Sequence, residues 1–95
     1  MTIRLSTQEQ SAITSTVYLA DPSAQIYLFG SRVDADARGG DIDLLLLSTK
    51  INLMSKLDIL AKLHHSLGQR KIDLAIAPNA DRPFVQMAMQ TGVRL

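Results

Sequence analysis

The chain has no cysteine and no tryptophan among its 95 residues, and only two tyrosines and two phenylalanines. Without cysteine there is neither a disulfide framework nor a thiolate zinc site, so nothing suggests an oxidising compartment and the cytoplasm is the expected location. Four aromatic rings are too few to build base-stacking platforms. A net charge of +1 lacks the basic excess of proteins that grip a phosphate backbone, and direct nucleic-acid binding is not expected. No stretch approaches the roughly 18–20 apolar residues of a membrane span, and Met1 to Ser6 carry no apolar signal stretch, so no membrane association is expected. What is present is globular in composition, with 46% hydrophobic and 20% charged residues. A chain of this length holds one core, which predicts a single domain over residues 1–95 with no internal linker.

Helical and strand patterns alternate along that domain. Ser6 with Glu9 three residues on is a capping-box pattern, and Ile13, Val17 and Ala20 mark one face of a first helix that ends before Asp21-Pro22. A run rich in β-formers, Gln25 to Phe29, predicts the first strand, and the apolar run opened by Asp41 predicts the second. Asn52 suits the cap of a long helix in which Leu53, Leu57, Leu60, His64 and Leu67 recur at helical spacing until Gly68. A third strand is expected from about Lys71 to Ile76. Pro78-Asn79 then breaks the chain, and Asp81 and Pro83 suit the start of a last helix with Phe84, Met87, Ala88 and Thr91 along one side. A short strand can follow Gly92. These elements predict an α+β fold, a small mixed sheet of three to four strands packed against helices.

Chemistry concentrates at three aspartates and one Gly-Ser pair. If Asp41 to Leu47 is a strand, Asp41 and Asp43 project to one face with Cα atoms about 7 Å apart, while Ile42, Leu44 and Leu46 face the other way. Like charges at the head of a buried strand need compensation, and hard oxygen donors suit Mg²⁺. Asp73 sits in the same surroundings, with Ile72, Leu74 and Ile76 on the opposite face of its strand. Beside the first pair it would complete a three-carboxylate cluster able to hold two metal ions roughly 3.5–4 Å apart, as in in-line phosphoryl and nucleotidyl transfer. Gly30 permits a sharp turn or a close backbone approach after the first strand. Ser31 adds a hydroxyl and Arg32 a positive charge, and a short helical segment opening at Arg32 would present N–H groups to phosphate oxygens.

Gly30-Ser31, nine intervening residues, then Asp41-x-Asp43 with Asp73 on a later strand resembles the DNA polymerase beta superfamily of nucleotidyltransferases. The wording Phe29-Gly30-Ser31-Arg32 and Gly40-Asp41-Ile42-Asp43-Leu44-Leu45 is similar to its smallest branch, the minimal nucleotidyltransferases, many of which have ten residues at the interval that is nine here. The resemblance covers essentially the whole chain. It implies the nucleotidyltransferase fold and transfer of a nucleoside monophosphate, AMP from ATP, to a hydroxyl, with other NTPs open as donors. Asp41, Asp43 and Asp73 would be the catalytic carboxylates and hold two Mg²⁺ ions; Gly30, Ser31 and Arg32 would grip the β- and γ-phosphates. It also implies an antitoxin that works in a heteromeric complex with a HEPN-domain toxin, either by adenylylating that partner or by masking it through contact alone. Ninety-five residues show no second domain to embrace a large or drug-like acceptor, which is consistent with an acceptor presented by another chain.

Other conspicuous residues read as structure. His64 and His65 are consecutive on a helix and point apart, so a shared metal site is not expected. Phe84, Met87 and Met89 are apolar residues of a terminal helix, read first as core; their number in so short a chain also suggests surface buried in a heteromeric complex or a homo-oligomer. Lys71 reads equally as a solvated charge or a phosphate contact.

Overall fold

The computed structural model describes residues 5–30, 42–68 and 71–95. Helix α1 (Thr7–Ala20) opens on the capping box: the Ser6 hydroxyl accepts from the Glu9 N–H at 3.1 Å and the Glu9 carboxylate accepts from the Ser6 N–H at 2.9 Å. Strand β1 (Gln25–Phe29) follows, and β2 (Ile42–Leu47) returns antiparallel to it, with Phe29 opposite Asp43 and Gln25 opposite Leu47. Helix α2 (Leu53–Leu67) starts on Asn52, whose side chain accepts from the Ser55 N–H, and ends at Gly68. It is the crossover that brings β3 (Ile72–Ala77) parallel to β2. Helix α3 (Pro83–Thr91) and the two-residue strand β4 (Val93–Arg94), antiparallel to β1, complete a mixed sheet in the order β3-β2-β1-β4.

Period-two patterning decides the two faces of the sheet. Ile26, Leu28, Ile42, Leu44, Leu46, Ile72 and Leu74 are buried on one face against Ile13 and Val17 of α1 and Ile59 and Leu63 of α2. The other face gathers Tyr27, Phe29, Leu45, Leu47, Ala75 and Ala77 under Val85 and Ala88 of α3. Helices therefore cover both faces, but α3 is short and leaves part of its face open. Gly92 lets α3 come down onto β1: a Cβ there would lie 2.5 Å from both the Ala88 and the Leu28 carbonyl oxygens.

Two helix faces differ from the expected ones. In α2 the buried residues are Ile59 and Leu63, while Leu53 and Leu57 are 67% and 52% exposed and Leu60 and Leu67 lie at the margin. The helix packs against the sheet and α1 together, so the wedge it buries points between those two neighbours rather than along its longest leucine stripe. In α3 the buried residues are Val85 and Ala88, and Phe84 and Met87 are about half exposed. Small side chains at Ala75, Ala77 and Ala88 bring helix and sheet close, which turns the bulky pair outward.

At the end of the sheet where β1 begins and β2 ends, a polar node ties four segments together. Asp21, only 2% exposed, closes α1; its carboxylate accepts from the Ser23 N–H at 2.9 Å and from the Ser48 hydroxyl at 2.6 Å. The same hydroxyl accepts from the N–H groups of Lys50 and Ile51, both at 3.1 Å, and the Ser48 N–H donates to the Ala77 carbonyl. A cavity of about 320 Å³ opens beside them, and among the described residues no buried side-chain polar atom lacks a hydrogen-bond partner. Ser48→Ala should lower stability by about 1–3 kcal/mol, because one hydroxyl serves three partners, and urea unfolding would read the loss. The hydrogen bonds from Ser48 and then Ser23 hold the Asp21 carboxyl below its ordinary value of 3.8. A depressed folded-state pKa stabilises the fold fully above the unfolded value and loses that contribution as pH falls through the folded one. The stability gap between wild type and Asp21→Asn should accordingly be constant above about pH 5 and shrink below about pH 4; a gap that widens on acidification would contradict the assignment.

Candidate functional site

The opposite end of the sheet carries the carboxylates. Asp43 is the second residue of β2 and Asp73 the second of β3, and the parallel register makes them direct partners. Neighbouring strands lie about 4.8 Å apart, and register partners share a face, so the two carboxylates project side by side from the face that α3 only partly covers. Asp43 is half-buried and Asp73 exposed. Burial of Ile42, Leu44, Ile72 and Leu74 beneath the sheet holds both strands in this phase. Of the six residues singled out from sequence, Gly30, Asp43 and Asp73 are brought together; Ser31, Arg32 and Asp41 lie outside the described residues.

Gly30 directly follows β1 and sits next to Asp43, since Phe29 is the register partner of Asp43. Its φ of +76° is in the left-handed region, and a Cβ at this position would run into the Asp43 carboxylate oxygen Oδ2. The absent side chain is thus required twice, by the backbone angle and by the carboxylate packed on it. From β1 through β2 to β3 the site reads in a line as Gly30, Asp43 and Asp73.

A cleft of about 500 Å³ opens over the two carboxylates, within the range of small-molecule sites. Beyond the two carboxylates it is walled by Phe29 and Phe84, whose rings meet edge-to-face with centroids 5.6 Å apart, and by Lys56 and Leu60 of α2. Phe84, read from the sequence as core or partner surface, and Lys56, which carried no signal, were not expected at the cleft, because membership depends on how α2 and α3 are rotated about their axes. His64 and His65 are exposed on α2 and do not line the cleft. Lys71 is exposed just before β3, and its carbonyl accepts from the Ile42 N–H at 2.9 Å.

Two adjacent carboxylates are a hard-oxygen donor set that suits Mg²⁺ better than a soft metal. Among the described residues no group of three potential metal-ligating side chains occurs; the third carboxylate of the expected cluster is Asp41. A backbone turn beside the pair and a roomy, partly apolar cleft fit a ligand with phosphate at one end.

The sequence profile of the family described as Polymerase beta, Nucleotidyltransferase matches residues 12–95. No curated protein matches the chain. Among solved structures, a chain in the crystal structure of a mutant form of the toxin-antitoxin MntA-HpeT superposes with a TM-score of 0.69, over 90% of this chain and 69% of that one, at 24% identity. That likeness is one of fold.

The contact between Gly30 and Asp43 is open to a double-mutant cycle. Gly30→Ala should lower stability by about 1–2 kcal/mol for the left-handed backbone alone, with a further loss from displacement of the carboxylate. In an Asp43→Ala background the second part should vanish, leaving a coupling of about 0.5 kcal/mol or more in urea unfolding. Strict additivity of the two changes would mean that the glycine and the carboxylate do not touch.

Proposed function

We propose that this chain, which belongs to the polymerase beta nucleotidyltransferase family, transfers a nucleoside monophosphate, AMP from ATP, to a hydroxyl of a partner protein. The observation that carries the reading is the register pairing of Asp43 with Asp73 on an open face of the sheet, with Gly30 against Asp43. Asp41, Asp43 and Asp73 would hold two Mg²⁺ ions, which when bound neutralise phosphate charge and lower the pKa of a coordinated hydroxyl. Gly30, Ser31 and Arg32 orient the β- and γ-phosphates, so that the bond to be broken points toward the β1 side of the site. Asp73 accepts the proton of the attacking hydroxyl. The oxygen of that hydroxyl bonds to the α-phosphorus, the bond from phosphorus to the bridging oxygen breaks, and pyrophosphate departs.

The partner is a HEPN-type toxin, and the chain acts in the cytoplasm as its antitoxin. Support comes from the family resemblance, from the fold shared with a chain of a toxin-antitoxin structure, and from the apolar side chains left exposed at Leu53, Met54, Leu57, Phe84 and Met87. Those same exposed residues favour a second reading, in which the antitoxin neutralises its partner by contact alone.

Calorimetry with Mg²⁺ and ATP, followed by mass spectrometry of the co-incubated HEPN-type partner, separates the two. The enzyme should add the mass of AMP to a hydroxyl side chain, and Asp43→Asn or Asp73→Asn should cut the rate about 100-fold or more while the complex still forms, since several kcal/mol of transition-state stabilisation is at stake. A partner left unmodified with all four NTPs, yet neutralised in full by the Asp43→Asn variant in a growth assay, would overturn the transferase in favour of the masking protein.

A further inference from the structure

We propose that the part of the cleft beyond Asp73 is the acceptor site, and that it takes an extended polypeptide segment as an added strand on the outer edge of β3. The proposal rests on the transferase reading above and names how its acceptor is held. Its first support is the line Gly30, Asp43, Asp73 across β1, β2 and β3. In-line displacement needs the incoming oxygen and the leaving pyrophosphate on opposite sides of the phosphorus. With the β- and γ-phosphates at the Gly30 end, the hydroxyl must arrive from the β3 end. That is where the cleft continues past the carboxylates, between Lys56 and Leu60 of α2 and Phe84 of α3.

The second support is the backbone of β3 itself. β3 is an edge strand. The Ile42 N–H donates to the Lys71 carbonyl and the Ser48 N–H to the Ala77 carbonyl, both at 2.9 Å, and these two bonds bracket the ladder between β2 and β3. In a parallel ladder each residue turns both its N–H and its C=O to the same neighbour, and alternate residues turn to opposite sides. Lys71, Asp73, Ala75 and Ala77 therefore address β2, and the N–H and C=O groups of Ile72, Leu74 and Ile76 point to the outer edge. Among the described residues these groups have no backbone partner across that edge. Ile72 and Leu74 line the cleft. A row of alternating donors and acceptors beside a helix, with apolar walls, is matched by another strand and by little else.

The added strand also solves the positioning of the hydroxyl. Side chains of a strand paired to β3 alternate faces in step with it, so every second residue rises on the face that carries Asp73. A hydroxyl side chain in that phase stands beside the carboxylate that takes its proton. The oxygen becomes bonded to the α-phosphorus, the proton passes to Asp73, and pyrophosphate leaves toward Gly30 with the electron pair of the broken bond. Lys56 on the α2 wall favours a segment with a carboxylate near the acceptor residue.

The test uses the whole chain with Mg²⁺, ATP and a heptapeptide of alternating threonine and valine, compared with the same peptide N-methylated at alternate residues so that it cannot pair along one edge. Amide exchange followed by NMR should show the N–H groups of Ile72, Leu74 and Ile76 protected about tenfold or more by the plain peptide and unchanged by the methylated one. Mass spectrometry should find AMP on the plain peptide only. AMP on both peptides with no protection of those three amides would overturn the strand-pairing site and leave the transferase standing. Protection without AMP from any NTP would keep β3 as a peptide-binding edge and overturn its role as the acceptor site, with the transferase itself judged on the HEPN-type partner. Neither protection nor transfer would overturn the strand-pairing site.

Discussion

The candidate site depends on one constraint, the register of β3 against β2. Side chains alternate with a period of two, so a slip of a single residue would carry Asp73 into the core beneath the sheet and turn Ile72 and Leu74 out. Ile42, Leu44, Leu46, Ile72 and Leu74 are all at least nine-tenths buried on that face. At roughly 1.5–3 kcal/mol for each large aliphatic side chain, their burial is worth on the order of 10 kcal/mol. Repulsion between the two carboxylates at an effective dielectric near 20 is at most about 3 kcal/mol, and Asp73 is exposed, which reduces it further. Apolar burial wins with room to spare, so the fold tolerates the pair of adjacent carboxylates.

The sheet then divides its work between its two ends. Where β2 ends, Ser48 and Asp21 satisfy each other and the surrounding backbone, and the end of α1, the approach to β1 and the entry to α2 are tied through one carboxylate and one hydroxyl. Where β2 begins, polar groups face an open cleft and the glycine that makes room for Asp43 sits in a backbone conformation other residues avoid. Stability resides at the closed end and in the α1 and α2 core. The strained and charged groups gather at the end where the cleft opens.

How much of this was legible in the sequence follows the range of the interactions involved. Ser6 with Glu9, Asn52, Gly68 and the strand alternation are local signals, and each element they announce is present within a residue or two. The side-by-side placement of Asp43 and Asp73 was also readable, because two strands with the same apolar phase joined by a helix admit few pairings. The buried face of α2 was not. Its longest leucine stripe, from Leu53 through Leu57, lies largely in solvent, since helix rotation answers to α1 and the sheet together and no local pattern reports that. Lys56, Leu60 and Phe84 entered the cleft by the same route, as did the outward turn of Met87. The Asp21 and Ser48 node joins residues 27 apart in sequence, each ordinary in its own surroundings.

The choice of an edge strand for the last carboxylate has a physical consequence. A central strand spends its hydrogen-bonding groups on both neighbours, whereas β3 keeps one side of its backbone toward the cleft. Edge strands in small proteins are commonly protected by charge, by proline or by a covering loop. Here the exposed acid at Asp73 and the flanking Lys71 blunt nonspecific pairing, while the apolar walls at Leu60 and Phe84 still reward a segment that brings the right side chains. In the proposed transferase, the carboxylate that takes the hydroxyl's proton and the charge that keeps the edge from indiscriminate association are the same group, and removing it should loosen both functions at once.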